Sequence, residues 1–339
     1  MKKILSIALL GSIASVSSAQ YNSKNLTIRE NVVTQFTYKN LRLYPIYANA
    51  AFMDAHKDIG KYSPLQKALQ DKKVSITEAV SATPNQNQSI NSHQNIQQQS
   101  NSGGGETVNK LYIENVSNDT VMIMAGEVVK GGKQDRVIAQ DIILTPKSGK
   151  MDISVFCVEQ GRWTYSDASM KANKSFYGYS NVSSTNVRKS AMVEKSQQGV
   201  WDQVEVVTSK NSAGTKSGTY TALDTSKTYQ RDLNSYLDYF KAVMKSQNNV
   251  IGVVACTDDK VIGCDMFATP SMFNDQFPNL LNSYSTEAMT NGAVAKADYK
   301  KVQAYLDKIL SDESKQDEEV KKNGAVLKHR GKKLHMATF

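Results

Sequence analysis

The chain has 339 residues, of which 40% are hydrophobic, 8% aromatic and 22% charged, and its formal net charge is +9. This balance is typical of a globular protein and excludes a collagen, a wholly disordered chain and a multi-span membrane protein. The basic residues are dispersed or lie next to acidic ones, as in a solvated surface, so the sequence predicts no nucleic-acid partner.

The first nineteen residues have the three regions of an export signal. Lys2 and Lys3 form a basic start, Ile4 to Val16 is an apolar stretch too short to span a bilayer, and Ser17 to Ala19 is a small-residue cleavage site. We therefore expect residues 1–19 to be a signal peptide and the mature protein to be periplasmic or secreted; the alternative is a buried N-terminal helix. No later run is apolar enough for a transmembrane segment.

The next part of the chain predicts strands that are interrupted by one long insertion. Residues 85–105 consist almost entirely of Asn, Gln, Ser and Gly, a composition that cannot bury enough apolar surface to offset its ordering entropy. The segments on both sides alternate with the period of a strand, so we expect a disordered insertion within a single domain of residues 20–339. The preceding elements are strands at Leu26–Phe36, Leu41–Tyr47 and Val74–Val80, and a helix from Ser63 to about Gln70.

After the insertion, more strands precede a helical second half. Val108–Asn115, Thr120–Glu127, Gln134–Leu144 and Met151–Glu159 are strand candidates, followed by helical patterns at Val187–Val207, Ser226–Ser246, Ser271–Met289 with an interruption at Pro278, and Lys296–Leu310. Two short strands at the C-terminus turn at Arg330 to Lys332. The order of elements predicts an α+β fold, in which an antiparallel, strand-rich N-terminal half packs with a helix-rich C-terminal half.

The three cysteines give no sign of a disulfide or a metal site. Cys256 and Cys264 flank a predicted turn in a hairpin whose register separates the two sulfurs along the strands, and Cys157 is left over. We therefore expect free, buried thiols. The four histidines are far from the cysteines in sequence and have no metal-ligand spacing, so the sequence predicts neither a metal nor a cofactor.

The three strands between residues 120 and 159 predict an antiparallel meander with a charged row at one end. Tight connections would place Arg136 directly opposite Glu127 on one neighbour and Glu159 on the other. One interpretation is an ion ladder that contributes about 0.2–1 kcal/mol per pair. The other is an anion pocket with Glu127 or Glu159 as catalytic candidates, and with five ligand-binding candidates: Arg136, Arg162, Gly131, Gly132 and Trp163.

Two short motifs carry a resemblance to a known family. The stretch from Ala125 to Arg136, and the stretch Phe156-Cys-Val-Glu-Gln-Gly-Arg-Trp163 downstream, resemble the ARG and Rhodanese-Phosphatase-superfamily-associated protein domain. The resemblance runs from about Leu41 to the C-terminus and includes Gly263 to Phe267. It transfers no activity and no catalytic residue; it implies a ligand related to nucleotides or ADP-ribose.

Two functions of different classes follow from these patterns. The first is an exported binding or interaction domain with a pocket for an anionic small molecule, and the alternative is a metal-independent hydrolase acting on a nucleotide- or ADP-ribose-related substrate. The carboxylates have no nucleophile elbow, metal triad or His partner in the sequence, which favours the binding domain. Asp265 is a further candidate if its hairpin docks beside the meander; otherwise it caps a strand end.

Overall fold

The protein is described by a computed structural model that covers residues 21–80, 106–162 and 174–339. The expected signal peptide, the insertion at 85–105 and Trp163 lie outside these described residues. The strands are β1 (Leu26–Thr27), β2 (Thr37–Tyr38), β3 (Leu41–Ala48), β4 (Ser63–Pro64), β5 (Val74–Val80), β6 (Glu106–Asn115), β7 (Val121–Ile123), β8 (Glu127–Gly131), β9 (Arg136–Ile138), β10 (Ile142–Leu144), β11 (Gly149–Cys157), β12 (Phe176–Val182), β13 (Val250–Thr257), β14 (Lys260–Phe267), β15 (Gly324–His329) and β16 (Lys332–Thr338).

The helices lie mostly in the second half of the chain. The α-helices are α1 (Ala50–Ala55), α2 (Leu65–Gln70), α3 (Thr185–Lys189), α4 (Gln197–Lys210), α5 (Lys227–Met244), α6 (Pro270–Asn291), α7 (Tyr299–Ile309) and α8 (Glu313–Asn323). Two 3₁₀ helices, Glu30–Val32 and Tyr220–Thr225, and a π-helical turn, Ser190–Glu194, complete the described elements. The predicted α+β class, with antiparallel sheets in the first half, is confirmed.

The first half forms a six-stranded sheet that curls back on itself. Its strand order is β12-β8-β9-β11-β6-β5, and its two outer strands meet where Thr77 bridges Ser175 and the Glu78 N–H donates to the Lys174 carbonyl at 2.8 Å. Because side chains alternate along each strand, one face of every strand points inward. The enclosed core includes Ile76, Leu111 and Ile153.

The C-terminal half contributes most of a second, seven-stranded antiparallel sheet. Its strand order is β1-β3-β13-β14-β16-β15, with β2 beside β3. Strand β13 is buried along its whole length: Val253 and Ala255 belong to the cluster with α5 and α6, and Val254 and Cys256 to the cluster with α7 and α8. Burial on both faces explains why this strand is a continuous apolar run. The three cysteines are free and buried, as predicted.

The predicted meander forms only in part. Two of its strands each break in two, and the fragments β7 and β10 join β4 in a separate three-stranded sheet in which the short β4/β7 pair is parallel. In the remaining pairs, Ile138 lies opposite Val155, and Val129 lies opposite Arg136. Both registers are shifted by two residues from the predicted ones. The tight connections assumed for the meander do not exist, because β10 leaves this sheet and the β8–β9 loop is wider than a two-residue turn.

Three further sequence predictions need correction. The strand predicted at Leu26–Phe36 is limited to β1, and a 3₁₀ helix follows it. Helix α6 runs through Pro278 without interruption, with apolar side chains such as Phe277 and Leu281 buried on both sides of the proline. Helix α8 was not predicted because its sequence is highly charged and buries only Gln316 and Val320.

Candidate functional site

The residues predicted to form a charged row lie in the curled sheet but are not cross-strand partners. Arg136 on β9 lies opposite Cys157 of β11 and Val129 of β8. The predicted pairing of Arg136 with Glu127 and Glu159 is therefore wrong, because each neighbouring strand is displaced by two residues. A displacement of two keeps side chains on the predicted face but moves each carboxylate along the strand.

Arg136 instead has a carboxylate partner that sequence reasoning missed. Its guanidinium is fully buried, its Nη2 lies 3.9 Å from Glu78 Oε2, and its Nη1 donates to the Gln134 carbonyl at 2.8 Å. Glu78 shares its inward phase on β5 with Val74 and Ile76. The sequence did contain a signal for this partner: Glu78 is an acidic residue at an inward-facing position of an alternating strand, and a buried carboxylate needs a compensating partner.

The glycine loop between β8 and β9 is held by the protein's own carboxylates. Glu78 Oε1 accepts the Lys133 N–H at 2.8 Å, and Asp135 Oδ1 accepts the Gly131 N–H at 3.0 Å. Gly132 has φ +55°, and a Cβ there would lie 2.3 Å from Glu78 Oε1. Gly132 thus lets the Glu78 carboxylate approach the backbone closely, and Gly131, with φ +131°, lets Phe176 of β12 approach. The sequence prediction gave both positions to a ligand.

Arg162 completes this charged loop. Its Nε donates to Glu159 Oε2 at 2.8 Å, its Nη1 to the Gly132 carbonyl at 3.1 Å and its Nη2 to Asp135 Oδ1 at 3.3 Å. Three of its donors are therefore directed at groups of the protein. No contact here tests whether Arg136 and Arg162 also hold an anion, and the assignment of these residues to a ligand site stays a prediction.

Glu127 lies apart, at the first position of β8. Its Oε2 accepts the Met124 N–H at 2.9 Å and its Oε1 accepts the Tyr179 hydroxyl at 3.0 Å. The side chain is completely buried, and this burial raises its pKa to about 8 in spite of the two hydrogen bonds. Glu127 is thus a mostly neutral acid near pH 7, enclosed by packed side chains.

A buried ion network, which sequence reasoning missed, joins the two sheets. Arg188 on α3 donates from Nη1 and Nη2 to the two oxygens of Asp265 on β14, at 2.9 and 2.7 Å. Its Nε donates to the Ala125 carbonyl, in the turn that leads into β8 of the curled sheet, at 2.9 Å, and the Tyr284 hydroxyl donates to Asp265. Asp265 is therefore not a strand cap, because it lies inside a strand and accepts a bidentate guanidinium.

His335 extends this network to a second carboxylate. Its Nε2 lies 2.8 Å from Asp265 and its Nδ1 lies 2.5 Å from Asp141, whose other oxygen accepts the Ala125 N–H at 2.7 Å. Burial lowers the pKa of His335, but the two carboxylates outweigh this and raise it to about 9. Against the effect of burial, His335 holds the pKa of Asp141 below its ordinary value, and Arg188 together with His335 does the same for the pKa of Asp265. Near neutral pH the network contains two cations and two anions.

An open cleft of about 640 Å³ lies where the two sheets meet. One wall comes from β6, β11 and the segment after β9, the second from the π-helical turn, and the third from α8 and β15. Asp141 lies at the cleft, with the buried network behind it. Three exposed lysines line the cleft, one from each wall: Lys110, Lys195 and Lys321.

Other kinds of site receive no support from the described ranges. Within 21–80, 106–162 and 174–339, no group of three or more His, Cys, Asp or Glu side chains could hold a metal ion. In the same ranges, no helix has both the length and the apolar character needed to cross a bilayer.

Comparison with protein families gives one match. Residues 30–338 match the family described as ARG and Rhodanese-Phosphatase-superfamily-associated Protein domain. The chain belongs to this family, the ARPP-1 domain family. The ARPP-1 match covers the ion network, the charged glycine loop and the cleft, so all three belong to the domain. No curated protein and no solved structure matched the chain.

Proposed function

We propose that this ARPP-1 protein is an exported binding domain that takes up an anionic ligand in the cleft between its two sheets. The observation that carries the proposal is the lining of the cleft, where three exposed lysines face a single acidic residue, Asp141. That carboxylate already accepts hydrogen bonds from His335 and the Ala125 N–H. Lys110 lies 3.5 Å from the exposed Asp152, so the positive charge available to a ligand comes mainly from Lys195 and Lys321.

Size and charge agree with this proposal. A volume of about 640 Å³ is in the range of small-molecule sites. The net charge falls from +9 to +7 when Lys2 and Lys3 are removed with residues 1–19, and this remaining positive charge favours the approach of anions. Exposed ammonium groups attract anions through a screened interaction, so binding is expected to weaken as salt is added. Export rests on the pattern of residues 1–19 alone.

A binding role is favoured over the hydrolase alternative by the environments of the two catalytic candidates. Glu127 is enclosed and hydrogen-bonded to Met124 and Tyr179. Glu159 accepts from Arg162 and is nearly buried. A general base must come within hydrogen-bond reach of a substrate proton, and neither carboxylate is among the residues that line the cleft.

The proposal is tested by thermal shift with tripolyphosphate and citrate as probes. The cleft variant carries Lys195→Glu and Lys321→Glu. A matched control carries Lys227→Glu and Lys241→Glu, which change the net charge equally at exposed positions of α5. A ligand that binds only the folded state raises the melting temperature with its concentration, so a shift is expected in the wild type and the control but not in the cleft variant.

Two results would contradict the cleft as the binding site. One is a probe-dependent shift that is equally large in the cleft variant, and the other is no shift in the wild type up to about 1 mM probe. Arg162→Ala is measured beside them. A shift abolished only by that substitution would place the anion at the charged glycine loop, as the sequence predicted.

A further inference from the structure

Strand β15 presents an unpaired edge to the cleft. It is the last strand of the seven-stranded sheet in the described part of the chain, and it pairs with β16 on one side only. Gly324, Ala325 and Val326 from this strand line the cleft. An edge strand carries a row of backbone N–H and C=O groups that can pair with another extended chain.

The direction of these backbone groups follows from the register of β16. The Ala268 N–H donates to the Leu334 carbonyl at 2.9 Å, so Leu334 and, by alternation, Met336 direct their backbone groups toward β14. The alternate residues, His335 and Ala337, then direct their backbone groups toward β15. The Phe339 N–H points in the same direction as theirs, because it donates to the Asn323 carbonyl at 2.9 Å.

The register of β15 against β16 determines which backbone groups of β15 face away from β16. Ala325 lies opposite Ala337 and Leu327 lies opposite His335, so both bond to β16. Val326 therefore directs its N–H and C=O groups away from β16. Gly324 offers only its C=O group, because its N–H donates to the Val320 carbonyl at the end of α8. Both residues line the cleft. The two sets of groups are about 7 Å apart, which is the repeat of alternate residues in an added strand.

The charges around this edge favour an added peptide with acidic side chains. Lys321 lies in the last turn of α8, immediately before β15, and Lys195 and Lys110 lie on the other two walls. An extended chain between these walls would place its side chains close to ammonium groups. Acidic side chains are complementary to this environment, and basic ones would be repelled.

We infer that the cleft binds an extended acidic peptide, which adds as a strand to the edge of β15 through the N–H and C=O groups of Val326 and the C=O group of Gly324. The inference rests on the proposed anion-binding function and names the ligand class for the same cleft. Main-chain hydrogen bonds hold the peptide, and the lysines determine its charge.

The experiment measures fluorescence anisotropy of a labelled Glu-Val-Glu-Val-Glu-Val-Glu peptide, with the matching Lys/Val peptide as the charge control. Val326→Pro removes the outward N–H and no bond to β16, since proline is tolerated on an edge strand at such a position. Val326→Ala removes similar apolar contacts but keeps the N–H. The proline variant is expected to bind the acidic peptide at least about tenfold more weakly than the alanine variant.

A second measurement does not depend on how the proline variant folds. Wild-type protein is titrated with the same peptide N-methylated at alternate amides, which removes donors that strand addition requires. Unchanged affinity after N-methylation, equal affinity of the two Val326 variants, or no preference for the acidic over the Lys/Val peptide each overturns the inference. If tripolyphosphate binds and the acidic peptide does not, anion binding in the cleft stands and strand addition fails; if neither binds, both fail.

Discussion

At the scale of single residues, Glu127 shows how burial alone changes the chemistry of a carboxyl group. Its two hydrogen-bond donors, Met124 N–H and the Tyr179 hydroxyl, are both uncharged, so burial dominates and raises the pKa from 4.5 to about 8. Between these two pH values the folded state holds a proton that the unfolded state has lost. The resulting contribution to stability is complete below pH 4.5 and is lost as the pH rises through about 8.

Glu127→Gln, which resembles the protonated acid, should therefore flatten this part of the pH dependence. We expect wild type and variant to have similar free energies of unfolding near pH 5, and the variant to lose less stability as the pH approaches 9. His335 also loses its proton near pH 9, but it does so in both proteins. Urea unfolding across this range is the measurement, with the exposed Glu205→Gln as the control. Parallel curves for wild type and Glu127→Gln would contradict the raised pKa.

At the scale of secondary-structure elements, one buried ion network connects three elements. Arg188 of α3 binds Asp265 of β14, which also accepts from His335 of β16, and each of these side chains is at most 1% exposed. Asp265→Asn would leave two cations without their shared carboxylate. Breaking a buried pair in this way is expected to cost about 3–5 kcal/mol of the free energy of unfolding.

The control for Asp265→Asn is an exposed pair of the same residue type. Asp259 lies 3.0 Å from Lys301, and both side chains are at least half exposed. Asp259→Asn should change the free energy of unfolding far less than Asp265→Asn, because solvent screens the exposed pair. Urea unfolding of both variants decides the matter. Equal losses would mean that the network contributes no more than a surface contact.

The elements also show which parts of the fold the sequence could predict. Strands with clean alternation, such as Val74–Val80, and the apolar run of β13 were predicted because period and burial are local properties. The register between neighbouring strands, in contrast, depends on contacts that a short stretch of sequence does not reveal. Asp135 Oδ1 accepts the Gly131 N–H within the loop, and Arg136 lies opposite Val129 and not opposite Glu127, as the assumed turn required. A turn predicted from Gly131 and Gly132 alone could not contain that bond.

At the scale of the whole molecule, the candidate sites depend on contacts between distant parts of the chain. Arg188 and Asp265 are 77 residues apart, and Asp141 and His335 are 194 apart. Neither pair has a spacing motif, so only the docking of the two sheets reveals it. The sequence grouped Arg136 with Glu127 and Glu159 through a strand register that is wrong, although Arg136, Glu159 and Arg162 do lie at the same loop. Their partner Glu78 comes from before the insertion and was missed.

Contacts between Tyr21 and the C-terminal half of the chain are compatible with the expected cleavage of the N-terminus. Tyr21, the first described residue, is completely buried, its hydroxyl donates to the Lys333 carbonyl at 3.3 Å, and its carbonyl accepts from Gln316 Nε2 at 3.1 Å. The predicted cut after Ala19 would leave one residue ahead of this anchored tyrosine. Processing at that position therefore preserves every contact that Tyr21 makes with the C-terminal half.

Expression of the full chain in a bacterium with an outer membrane tests this expectation. We expect the protein in the periplasm or the medium, with an intact mass equal to residues 20–339, because the apolar stretch directs export and the small residues permit cleavage. Leu10→Arg places a charge in the middle of that stretch and should leave the protein in the cytoplasm with residues 1–19 attached. If the wild-type chain also remains cytoplasmic and uncut, residues 1–19 are not an export signal, and a ligand from inside the cell becomes the one to seek for the cleft.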